Sequence, residues 1–95
     1  MSYLDDVAAT IRAELGEQPS DSSAPQLLRL YALLLLVKGE AVNAEDVHNA
    51  WAAWMQEHQP AHESIKPFEE LDRSTQKADD PFVAAIQRAA RSFQV

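Results

Sequence analysis

Residues 43–71 read NAEDVHNAWAAWMQEHQPAHESIKPFEEL, a stretch holding both tryptophans and all three histidines of the chain. Asn43 has the side chain of a helix N-cap. Glu45 and Asp46 suit the first turn, and Asp46 stands at the capping-box position. Val47, Ala50, Trp51, Trp54 and Met55 recur at helical spacing, so a helix is predicted to run to about His58 and to stop before Pro60. Trp51 and Trp54 are three apart and share a face. A tryptophan buries on the order of 150–250 Å², so the pair is predicted to anchor the core. After a loop over 59–66, Pro67-Phe68-Glu69-Glu70-Leu71 reads as one helical turn begun by proline, with Phe68 and Leu71 plugging onto the tryptophan face.

Outward from this stretch the chain reads as helices only. Upstream, Ala24 to Lys38 (APQLLRLYALLLLVK) forms a helix with Pro25 in its first turn, Lys38 at its negative end and Gly39 as its stop. Leucines and Val37 cover nearly every direction around its second half. Such a helix is either the centre of the core or has one face covered by a second copy of the chain. Leu30, Leu34 and Val37 are the candidate self-association residues. Residues 16–25, GEQPSDSSAP, are turn formers and make a linker. Before it, Ser2 to Leu15 forms a first helix, capped by Ser2, ended at Gly16 and striped by Leu4, Val7, Ala8, Ile11 and Leu15. Downstream, Asp72 caps a last helical region reaching about Phe93. Asp79 or Asp80 ahead of Pro81 begins a fresh N-terminus, so a kink or break is predicted there. The expected architecture is all-α: one domain over 1–95, a small orthogonal bundle of four to five helices.

Composition narrows the function. With 46% hydrophobic and 24% charged residues the chain is globular rather than disordered. Without cysteine it has neither disulfides nor thiolate metal ligands. Fifteen acids against eight bases leave a formal charge of −7, a field that repels phosphate backbones and argues against nucleic acid as a partner. The apolar run from Leu27 to Val37 contains Arg29 and falls well short of the roughly twenty residues of a membrane span. Asp5 and Asp6 stand where a secretion signal needs bases. A cytoplasmic location is expected.

Residue types that carry chemistry are present but poorly arranged for it. His58 and His62 have the four-residue spacing of two ligands on one helix face, yet Pro60 between them breaks that helix, and His48 lies turns away. Ser20, Ser22 and Ser23 lie in the linker without a nucleophile-elbow context. The pairs Asp5/Asp6, Glu69/Glu70 and Asp79/Asp80 follow helix-start preference. The two glycines, Gly16 and Gly39, build no phosphate cradle. No catalytic residue, metal or cofactor is expected.

His48-x-x-Trp51, a loop, His62-x-x-x-x-Pro67-Phe68-x-x-Leu71 and a following Asp79 resemble the repeat domain first named in ryanodine receptors, over residues 43–80. The family's Gly-Trp-x-Tyr-Gly block has no counterpart between Met55 and Ala61, and Glu63 stands where the family has proline. With the leucine-rich helix in front, the pattern is also similar to small proteins of actinobacteria and their phages. The resemblance implies a binding module for nucleotide-like ligands, with His48, Trp51, His62 and Phe68 lining any pocket. The expected function is therefore a non-catalytic interaction protein, homodimeric through its second helix, set in a phage or prophage and able to meet another host or phage protein. The alternative is a small-molecule module built on the His48–Phe68 cluster.

Overall fold

The structure, a computed structural model, describes residues 3–15 and 25–93. The expected Ser2 cap, the Gly16 stop and the linker ahead of Pro25 lie outside the described residues. Five α-helices follow in order: α1 (Tyr3–Leu15), α2 (Pro25–Lys38), α3 (Ala44–His58), α4 (Arg73–Lys77) and α5 (Asp80–Ser92). Short 3-10 turns lie at Gly39–Ala41 and Phe68–Glu70. Among the described residues there is no strand, and the fold is a small all-α bundle.

Local signals account for most helix ends. Asn43 accepts from the Asp46 amide at 3.0 Å while Asp46 Oδ2 accepts from the Asn43 amide at 3.0 Å, a reciprocal capping box. Asp46 also pairs with Lys38 at 3.0 Å, so the end of α2 and the start of α3 share one carboxylate. Gly39 has φ +57°, the left-handed conformation that ends a helix and that a side chain disfavours. The turn at Phe68–Glu70 is held by Gln76, whose Nε2 donates to the carbonyls of Phe68 (3.0 Å) and Leu71 (3.2 Å).

The core sits between α1, α2 and α5, with α3 laid against α2. Ile11, Ala32, Val47, Ala85, Ile86 and Ala89 have no exposed surface at all. The alanines of α5 let its backbone approach its neighbours closely, while Phe82, Val83 and Ile86 supply the volume. Polar ties close the bundle: Gln87 Nε2 donates to the Val42 carbonyl at 3.1 Å, and Arg88 Nε meets Glu14 at 2.8 Å.

Two expectations need correcting. The tryptophans do not anchor the centre. Trp51 and Trp54 are half-buried and pack on its edge, because α3 buries only Val47, His48 and Met55. Of the two alternatives for α2, burial on every side within one copy does not hold. Leu33, Leu36 and Val37 are 51%, 45% and 72% exposed, because α1, α3 and α5 cover its other faces. The break expected near Pro81 is present, since α4 ends at Lys77 and α5 starts at Asp80 with Asp79 at its N-cap position, and Pro81 lies inside the first turn of α5 where its missing N–H costs nothing.

Candidate functional site

α3 puts His48 and Trp51 on the side that faces the loop over 59–67. His48 is 3% exposed, and its Nε2 lies 2.7 Å from the Lys66 carbonyl. A carbonyl only accepts, so Nε2 carries a proton and donates it to Lys66. This bond straps the loop to the helix. The loop is further shaped at His62, whose Nδ1 accepts the Ser64 amide at 3.0 Å, leaving its Nε2 as the donor. The rings then form a continuous run. His48 stacks on Trp51 (centroids 5.7 Å, 27°) and tilts against Phe68 (6.1 Å), and Trp51 meets His62 edge-on at 5.1 Å.

Beside these rings opens a cavity of about 210 Å³. Its floor is Leu27 and Tyr31 of α2, and one wall is His48, Trp51 and His62. The opposite wall is Thr75, Ala78, Asp79 and Phe82, around the break between α4 and α5. Of the residues expected at a site, His48, Trp51 and His62 come together here. Phe68 does not line the cavity and backs the His48 ring instead. Of the expected self-association residues, Leu30 and Leu34 are half-buried, with Leu34 packed on the core, and Val37 projects outward. His58 turns back onto its own helix, with Nδ1 2.8 Å from the Trp54 carbonyl.

Tyr31, Asp79 and Phe82 are the site residues that sequence reasoning missed. The signal for Asp79 was present, because two aspartates precede Pro81 and one helix start needs only one cap. Asp72 caps α4, and hydrogen bonds from Thr75 and then Ser74 hold its carboxyl below the ordinary range. The Asp79 side chain caps nothing, although its carbonyl accepts the Phe82 and Val83 amides. Burial pushes the Asp79 carboxyl up to about 6, with the His48 ring opposing the rise and Asp80 adding to it. Burial, and then the neighbouring Asp79, likewise raise the Tyr31 phenol.

Some polar atoms of the cavity are engaged, as at His62 Nδ1 and His48 Nε2, and others are not. No hydrogen bond or ion pair joins His48 Nδ1, the Asp79 carboxylate or the Tyr31 hydroxyl to another described residue. Among the described residues, Trp54 Nε1 is the fully buried side-chain polar atom without a partner. No cluster of three or more histidine, aspartate or glutamate side chains among the described residues is placed to hold a metal ion. No helix among them is long and apolar enough to cross a membrane.

Fold and site together define a small helical bundle with one aromatic-walled, acid-bearing cavity at the junction of its helices. Residues 2–91 match the family described as Domain of unknown function (DUF7701), and the chain belongs to that family. No curated protein and no solved structure matches it.

Proposed function

We propose that this protein is a non-catalytic, cytoplasmic binding module that holds a small planar ligand in the cavity between α2, α3 and α5. The observation that carries this reading is the convergence of polar groups with aromatic walls: His48, Asp79 and Tyr31 beside Trp51, His62 and Phe82. A cavity that is mostly apolar and has a few convergent polar groups is the usual form of a ligand site. At about 210 Å³ it falls below the roughly 300–1,000 Å³ of sites for larger ligands, so it takes a single ring system, such as the base of a nucleotide-like molecule, rather than a whole nucleotide. The likeness to ryanodine-receptor-type repeats supports the same reading.

Trp51 in the wall provides the assay. In a Trp54→Phe background, nucleobases and other one- or two-ring heterocycles are expected to quench or shift its emission and to raise Tm. A panel in which no compound changes either signal sinks the proposal.

A second reading concerns self-association. The exposed stripe of Leu33, Leu36 and Val37 favours a homodimer through α2. It shifts the face outward from the Leu30/Leu34/Val37 set. The similarity to small phage proteins supports a phage or prophage setting, in which a host or phage protein is the other candidate partner.

A further inference from the structure

We infer that the cavity takes a compact organic cation bearing N–H donors, an amidinium, guanidinium or primary ammonium head group, held against Asp79. This inference rests on the ligand-binding reading above and names the ligand class for the same site.

Asp79 is placed in the cavity without a hydrogen bond from another described residue, with the His48 ring as the neighbour that favours its ionised form. It stands at the start of α5 yet gives its side chain to no helix amide, and it is half-buried beside Ala78 and Phe82. No lysine or arginine lines the cavity. The titratable groups around Asp79 are the His48 ring from α3, Tyr31 from α2, His62 from the loop and Asp80 beside it. Asp79 offers the cavity the two acceptor oxygens of its carboxylate. Two acceptors call for a ligand with more than one donor, the pattern of an amidinium or ammonium group. The aromatic lining of Trp51, Tyr31 and Phe82 suits the same charge, since a cation is attracted by an aromatic ring's quadrupole. A formal charge of −7 raises the local concentration of cations and lowers that of anions. A neutral ring leaves the Asp79 carboxylate less compensated and is expected to bind more weakly than a cation of the same size, and an anion is repelled.

The test compares three isosteric probes, benzamidinium, benzamide and benzoate, at about pH 7.5, where Asp79 is ionised. Binding is read by calorimetry and Trp51 emission on the wild type, Asp79→Asn and Asp80→Asn. Asp79→Asn breaks no hydrogen bond of the fold, and circular dichroism checks its helicity. Asp80→Asn removes the same charge one residue away. The expected result is a preference for benzamidinium over benzamide of about tenfold or more in the wild type and in Asp80→Asn. Asp79→Asn is expected to reduce it to within about twofold, with benzoate bound by none of them. Equal binding of benzamide and benzamidinium by the wild type, or a preference that survives Asp79→Asn, overturns the cation assignment and leaves the ligand-binding reading standing. If none of the probes binds and the heterocycle panel is silent as well, both readings fall.

Discussion

Asp79 carries the clearest trade between stability and function in the molecule. Its folded pKa of about 6 lies above the ordinary value of 3.8, so the folded protein holds the proton more tightly than the unfolded chain does. Stability from this group is therefore fully present below about pH 4 and is lost as pH rises through about 6. Because the side chain is only half-buried, solvent screening limits the effect to about 1 kcal/mol. Asp79→Asn should raise Tm by a few degrees at neutral pH and give no gain near pH 4, as measured by thermal melts across that range. A gain that did not depend on pH would mean that the carboxylate is not strained by its surroundings. His48 has the opposite character: it is buried, hydrogen-bonded and structural on one edge, and open on the other. His48→Ala should cost about 1–3 kcal/mol by leaving the Lys66 carbonyl without its donor, measured by urea denaturation, and should loosen the loop that carries His62.

At the scale of elements, the turn from α2 into α3 sets the angle at which Trp51 and His48 reach the cavity. Gly39 makes that turn with φ +57°, and a Cβ added there would meet nothing within 4 Å. The penalty for Gly39→Ala is therefore backbone strain alone, about 1 kcal/mol, and Gly39→Asn should cost less, because asparagine tolerates the left-handed region. Denaturant midpoints of the two variants check the order. The break between α4 and α5 matters in the same way. A continuous helix from Asp72 to Ser92 would have buried the Asp79 peptide in a regular helix. The interruption instead presents its side chain beside Ala78 and Phe82 at the rim of the cavity.

For the whole molecule, the layout of buried and exposed apolar residues decides how the protein meets other copies. The core closes on α1, α2 and α5, and leaves Leu33, Leu36 and Val37 on the surface beside half-buried Leu30. If this stripe joins two copies, Leu33→Gln/Leu36→Gln/Val37→Gln should turn a dimer into a monomer in light scattering without lowering its helicity. A wild type that is monomeric at high micromolar concentration removes the dimer. The cavity opens between α3 and the α4–α5 junction, and none of these three residues lines it, so the triple variant should leave probe binding unchanged.

Much of the fold was legible in the sequence because its causes are local. The Asn43–Asp46 box, the Gly39 stop, the Asp72 cap and the apolar periods of α1, α3 and α5 each act within a few residues, and each appears where its residues stand. His48, Trp51 and His62 were named together by the resemblance to ryanodine-receptor-type repeats, and the α3 repeat and the loop after it do bring their rings into contact. What lies across from them could not be read this way. Tyr31, Asp79 and Phe82 reach the cavity only through the packing of α2 and α5 against α3, which depends on side-chain volumes summed over distant segments. The same packing moved the tryptophans to the edge of the core and gave its centre to alanines and Ile86, because the closest helix approaches go to the smallest side chains. The sequence by itself determined an acidic, all-helical chain with its caps and stops. Only the tertiary structure decided that Asp79, at the N-cap position of α5, would give its side chain to no helix amide and line an aromatic cavity, because that choice is made by the surface packed against it.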